Sequence, residues 1–218
     1  MSASIDVYFS FRSPYSYLAA PQLLQLADAF DVEMALRPVL PLAIRQPDFF
    51  SPENAKRARY ISIDFPRRCA MLGMVCKWPS PDPVVQDLDS FEIAAEQPFI
   101  HQLSSLGVEA NRRGRGVDFA YEASQLIFGG TKDWDKGDHM AQACARAALD
   151  LSAMERAVDA GREQGDHASA LEANQAALET AGHWGVPTCV YKGAPFFGED
   201  RIETLRWQLT KDGLAKTG

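Results

Sequence analysis

The tetrapeptide Ser13-Pro14-Tyr15-Ser16 has the spacing of a redox-active cysteine pair, with oxygen in both sulfur positions. Two serines cannot form a disulfide, so thiol–disulfide exchange within this segment is excluded. The chemistry left to it is anion binding. Ser13 is a good helix N-cap and Pro14 suits the first helical position, so a helix is expected to begin here. The first turn of a helix carries unpaired backbone N–H groups and the positive end of the dipole. Such surroundings lower the pKa of a thiol from about 8.5 to as little as roughly 3.5–7.5. With serine in place of cysteine, the Ser13 hydroxyl can donate a hydrogen bond to a thiolate brought by a ligand. The same residues also serve as a plain cap and helix starter, and this segment alone does not separate the two readings. Ser16, one turn further in, reads as an ordinary helix residue.

The elements around this segment follow from the pattern of the chain. Residues 5–11 (IDVYFSF) carry apolar side chains on both parities, as expected of a strand buried on both faces. The helix from Ser13 comes next, with a kink expected at Pro21. Residues 32–40 supply a second strand, ending at Pro38 or Pro41, so the chain opens β-α-β with a parallel pair. Residues 41–52 hold Pro41, Pro47 and Pro52 and read as an irregular loop. A helix is expected over 54–72, interrupted or bent at Pro66, and further helices at 97–113, 117–128, 138–148, 152–160 and 167–182. Strands at 188–192 and 194–197 form a hairpin turning at Lys192-Gly193. In the closing helix, Asp200-Arg201-Ile202-Glu203 has capping-box spacing with Asp200 as the N-cap. Joined across the helical block, β-α-β and β-β-α make a thioredoxin topology. The expected class is α/β: a thioredoxin-like domain of residues 1–40 and 183–218, interrupted by a large all-helical insertion of residues 41–182.

Composition narrows the function. The chain has 218 residues, 46% of them hydrophobic, enough to bury a sizeable core. Its net charge of −7 argues against nucleic-acid binding. Cys69, Cys76, Cys144 and Cys189 form no Cys-x-x-Cys pair and read as free thiols of a reducing compartment. His101, His139, His167 and His183 lack metal-ligand spacing with one another or with the cysteines, so no metal is expected. The opening MSASIDVYFS has no basic region and no long apolar run, and no stretch has the length of a membrane span. A cytoplasmic protein without membrane attachment is expected.

Within a thioredoxin topology two more segments gain meaning. In Gly185-Val186-Pro187-Thr188, a cis-proline would face the N-terminus of the first helix. Val186 could then offer its backbone N–H and C=O to an extended peptide by strand addition. The cysteinyl thiol of a peptide such as glutathione would lie over Ser13. At Asp200, a second helix N-terminus could bind a carboxylate through N–H groups while the side chain pairs with an ammonium. The γ-glutamyl end of glutathione carries both charges. A trans-proline at a strand start and an ordinary capping box are the alternative readings.

Taken together, YFSFRSPYSYLAA, GVPTCV and PFFGEDRIETLRWQL resemble the 2-hydroxychromene-2-carboxylate isomerase family, whose relatives are kappa-class glutathione transferases and DsbA-like oxidoreductases. The linking segments KRARYISIDFPRRCAMLG and WDKGDHMAQACARAALDL resemble it too, in the same order along nearly the whole chain. The resemblance implies glutathione as cofactor or cosubstrate, and a homodimer. It makes Ser13 the residue that hydrogen-bonds the thiolate, Val186 and Pro187 the peptide-binding turn, and Asp200 the γ-glutamyl contact, with Glu199 beside it. Asn54 and the nearby Lys56 and Arg57 match polar residues that close over glutathione and substrate, and Arg45 is the nearest cation to a family lysine without a clear counterpart. The implied activity is cis/trans isomerisation of an aromatic conjugated oxo-acid. Thiolate adds to the conjugated ketone, the resulting single bond rotates, and elimination restores the alkene and the thiol. A cation from Lys56–Arg59 or Arg67–Arg68 would hold the carboxylate or the developing enolate, although a solvated helical face accounts for these charges as well. Trp78, Trp134, Phe49 and Phe50 line an aromatic pocket on this reading, or belong to the core. A kappa-like transferase that releases a glutathione adduct, and a non-catalytic glutathione- or peptide-binding module, are the alternatives.

Overall fold

The computed structural model describes residues 3–46, 49, 54–87 and 89–216. Strand β1 (Ala3–Phe9) leads into helix α1 (Pro14–Ala29) and strand β2 (Val32–Pro38). The short helix α2 (Leu42–Arg45) and the long α3 (Ala55–Leu72) follow, then α4 (Ile100–Arg112), α5 (Gly116–Phe128), α6 (His139–Arg146), α7 (Leu151–Arg162) and α8 (Asp166–Thr180). The hairpin β3 (Thr188–Tyr191) and β4 (Ala194–Phe197), a 3-10 turn (Glu199–Arg201) and α9 (Ile202–Lys211) close the chain.

The sheet order is β2-β1-β3-β4. β1 runs parallel to β2, with Ile5 opposite Met34, and antiparallel to β3, with Ile5 opposite Tyr191. Lying between two partners, β1 buries both faces. Ile5, Val7 and Phe9 enter the main core, while Tyr8 joins Val39 and Leu178 in a second cluster under α8. This is the two-sided burial that apolar residues on both parities require. The main core continues from the sheet into the helical block, because α4 and α5 pack against β2 and α1. The block also covers the edge of β2: the Asn111 side chain accepts from the Leu36 N–H at 2.7 Å, and Asn174 donates to the Pro38 carbonyl at 2.9 Å. Gly107 permits this approach, since a Cβ there would lie 2.8 Å from the Phe11 ring.

Three local expectations change. Residues 42–45 form the helix α2 within the stretch read as irregular; residues 47, 48 and 50–52 of that stretch lie outside the described ones. β1 ends at Phe9, short of the expected Phe11, while β2 ends at Pro38, one of its two expected ends. Asp200 does not cap α9. It sits inside the 3-10 turn that runs into the helix, and Arg201 stands at the N-cap without a side-chain cap hydrogen bond. Gly198, with a positive φ of 104°, caps that turn, two residues ahead of the cap that the capping-box spacing suggests. Helices α1 and α3 run on past Pro21 and Pro66. Among the described residues, no helix is long and apolar enough to cross a membrane.

Candidate active site

Ser13 joins β1 to α1. Its extended backbone (φ −85°, ψ 117°) turns the chain, and its N–H donates to the Ser10 carbonyl at 3.0 Å. Its Oγ accepts the Ser16 N–H at 3.2 Å, an N-cap bond of the ordinary kind. That bond uses a lone pair and leaves the Ser13 O–H proton without an acceptor among the described residues. Pro14 has no N–H to satisfy, and the Tyr15 N–H makes no hydrogen bond among the described residues. Two donors, one hydroxyl and one amide, are therefore open at the positive end of α1. Ser16 behaves differently. It is fully buried, and its Oγ accepts the Ser10 N–H at 3.4 Å.

Ser13 and Tyr15 line a cavity of about 1180 Å³. Gly185 and Val186 line it too, on the loop before β3, with Glu199 and Asp200 at the 3-10 turn. The Val186–Pro187 peptide bond is cis. Gly185 is held at both of its peptide groups: its N–H donates to His183 Nδ1 at 2.9 Å and its carbonyl accepts from Thr188 Oγ1 at 2.7 Å. Val186 itself makes no backbone hydrogen bond among the described residues, so its N–H and C=O form an open edge on the cavity. That edge is what an added strand needs.

The facing wall is α3, with Lys56, Arg57, Tyr60, Asp64 and Arg68 on the cavity. Arg68 forms a two-pronged ion pair with Glu199, Nε to Oε1 and Nη2 to Oε2 at 3.0 Å, and Gln22 adds a contact at 3.4 Å. Glu199 is 4% exposed, so both of its oxygens are engaged before any ligand arrives. Asp200 is exposed, with Arg201 at 3.4 Å. Arg57 donates to the Phe49 carbonyl at 3.1 Å and lies 4.4 Å over that ring. Lys56 is exposed and forms no ion pair among the described residues. Asn54, half-buried just before α3, is not in the described lining. Arg45 is not in it either. It clamps the loops, with Nε on the Leu40 carbonyl and Nη2 on the Trp184 carbonyl at 3.0 Å. Burial draws its pKa down to about 10, and its Nη1 is buried without a hydrogen-bond partner among the described residues.

The DSBA-like thioredoxin domain model matches residues 4–210. The chain belongs to the DSBA-like thioredoxin family. Solved structures with the same fold include a 2-hydroxychromene-2-carboxylate isomerase, 19% identical with a TM-score of 0.62 and 95% of each chain covered. A probable DsbA oxidoreductase from Streptomyces coelicolor is 17% identical with a TM-score of 0.62, covering 99% of this chain and 92% of its own. The cytosolic disulfide reductase DsbM from Pseudomonas aeruginosa, in a structure with GSH, is 13% identical with a TM-score of 0.55, covering 95% and 99%. Comparison with curated proteins gives no match.

In this DSBA-like domain the thiols stand away from the cavity. Cys69, Cys144 and Cys189 are buried, and burial pushes their pKa values up to about 12, 11 and 12. A thiol reagent at neutral pH is expected to label Cys76 first, because it alone is not fully buried, and to reach all four only after denaturation. Rapid labelling of Cys189 in the native protein would contradict this. Several cavity residues carry no sequence signal. Arg12 pairs with Asp82 at 3.0 and 3.1 Å and with Gln86 at 3.1 Å, across 70 and 74 residues of chain. Tyr15 donates its O–H to Asp64 at 2.9 Å, and burial raises the pKa of that phenol. Phe49 and Trp78 line the cavity. Trp134 does not: it is buried, with its Nε1 donating to the Pro81 carbonyl at 2.7 Å, and of its two readings the core one holds. Phe50 lies outside the described residues.

Proposed function

We propose that the chain is a glutathione-dependent cis/trans isomerase acting on an aromatic conjugated oxo-acid. One observation carries the reading: two unspent donors at the α1 N-terminus share a cavity with the open backbone edge of Val186. A cysteinyl peptide laid on that edge brings its sulfur to those donors. The fit to glutathione also rests on Asp200, an exposed carboxylate for the γ-glutamyl ammonium. Glu199 acts on this reading through Arg68 rather than by touching the peptide. At about 1180 Å³ the cavity exceeds the usual 300–1,000 Å³ of a single small-molecule site, which leaves room for a second molecule beside the peptide.

When bound, glutathione supplies a sulfur nucleophile that adds to the conjugated carbon and leaves again, so that the C=C bond is single long enough to rotate. The Ser13 O–H and Tyr15 N–H hold the negative charge on sulfur before attack and after departure. Lys56 and Arg57, on the wall opposite, take the substrate carboxylate and the charge that moves to the oxo oxygen. Tyr60, Trp78 and Phe49 supply the aromatic surface. Residues 1–40 and 183–218 would then handle sulfur and residues 41–182 the substrate, in a cytoplasmic homodimer. A likeness to the isomerase and to the GSH-containing reductase supports the fold on which the reading stands.

The test is to mix purified protein with glutathione and record thiolate ultraviolet absorbance near neutral pH. Absorbance is expected to appear on mixing, and a hydroxybenzylidene pyruvate is expected to isomerise with glutathione unconsumed. Failure to bind sinks the reading. Stoichiometric consumption of glutathione replaces isomerase by transferase.

A further inference from the structure

His183 lies beside the peptide-binding turn without lining the cavity. Its imidazole stacks on Phe197, with centroids 3.9 Å apart, and on Trp184 at 5.3 Å. Trp184 in turn meets Phe49 at 5.2 Å, beneath the Arg57 guanidinium. The ring thus packs against two aromatics that also meet each other at 6.1 Å, and its Nδ1 accepts the Gly185 N–H at 2.9 Å. A nitrogen that accepts from an amide carries no proton, so the second nitrogen holds it and the imidazole is neutral. Adding a proton requires Nδ1, the lone pair that Gly185 occupies. The imidazolium offers two donors and no acceptor, so it cannot keep this bond.

Gly185 leaves the turn little slack. A Cβ on it would lie 2.5 Å from the Phe197 ring and 3.2 Å from His183 Cε1, so the backbone is pressed against the stack. The Thr188 hydroxyl holds the other peptide group of Gly185. We infer that His183 is a positioning residue that sets the Gly185–Pro187 turn in its peptide-binding shape only while its imidazole is neutral. The consequence for ligand binding rests on the glutathione reading above; the coupling between His183 and Gly185 does not.

The direction follows from the surroundings. Burial lowers the His183 pKa from its usual value. The nearest charged groups stand around its aromatic neighbours: Glu179 and Arg57 beside Trp184, Arg45 on the Trp184 carbonyl, and Asp200 beyond β4. None forms an ion pair with the imidazole among the described residues. The folded turn favours neutral His183, so its held form is complete above the usual histidine range and is lost as pH falls through the lowered pKa.

The experiment uses the whole protein and S-methylglutathione, which has no ionisable thiol. In the ligand-free protein, the Gly185 amide NMR signal is expected to shift with the His183 imidazole nitrogens along one titration curve. Affinity for S-methylglutathione is expected to fall about tenfold from neutral pH to about pH 5, as the competent fraction of the turn falls. His183→Asn keeps a neutral acceptor and is expected to bind well at neutral pH with a flat profile. His183→Phe keeps the stack without the acceptor and is expected to bind weakly at every pH. A Gly185 amide indifferent to His183 titration overturns the inference, as does a His183→Asn profile that matches the parent. If S-methylglutathione fails to bind at any pH, the glutathione reading falls, and the Gly185 titration still decides the role of His183.

Discussion

Replacing Ser13 with alanine is expected to raise the pKa of bound glutathione by about one to two units. The Ser13 O–H has no acceptor among the described residues, so its one use on this reading is the ligand sulfur. A hydrogen bond to a charged group contributes about 1.5–3 kcal/mol. One pKa unit corresponds to about 1.4 kcal/mol. The hydroxyl favours the thiolate, so its loss moves the titration upward, and thiolate at neutral pH drops by roughly ten- to a hundredfold. Turnover falls in proportion. Thiolate absorbance against pH reads the shift directly. Ser16→Ala is the control: its Oγ is turned inward onto the Ser10 N–H, so it is expected to lower stability and leave the bound thiol's pKa in place. An equal shift for both variants, or a shift under about 0.3 units for Ser13→Ala, removes Ser13 from the chemistry.

The second large effect is on stability. Arg68→Ala strips the partner from a carboxylate that is 4% exposed. Removing one member of a buried ion pair typically costs about 3–5 kcal/mol, because the other charge stays buried. Gln22, at 3.4 Å, is too weak a donor to replace a guanidinium. Denaturant unfolding is expected to show that loss, and Arg68→Met combined with Glu199→Gln is expected to recover most of it. A loss under about 1 kcal/mol for Arg68→Ala would mean that Glu199 finds water or another donor without cost.

The Ser13 N-cap and the order of strands were legible because each rests on a local rule, whereas the open turn at Val186 was expected only within a thioredoxin topology. A cap, a proline at the first helical position, a short run apolar on both parities and a Lys192-Gly193 hairpin are each written within a few residues. The Asp200 capping box was misread for the same reason. Its spacing is local, but Gly198 sets the backbone there and starts a 3-10 turn ahead of the helix. Pairings such as Arg12 with Asp82, Arg68 with Glu199 and Arg45 with the Trp184 carbonyl join residues 70, 131 and 139 positions apart. No pattern in the chain encodes which of many surface charges meets which. Arg68 was visible only as one cation among several on a helix, and Arg45 only by its nearness in sequence to the expected place.

Helix α3 has 18 residues, of which only Phe65 and Cys69 are fully buried. The opposite wall is different in kind, since Ser13 and Val186 hang from strands and a helix that share the main core. Mutations therefore meet unequal resistance on the two sides. Changes around Ser13 disturb the sheet, whereas Lys56, Arg57 and Tyr60 can be exchanged at little cost to the fold. An evolving or engineered descendant could keep one way of holding sulfur while trying many electrophiles, by rewriting a single helix.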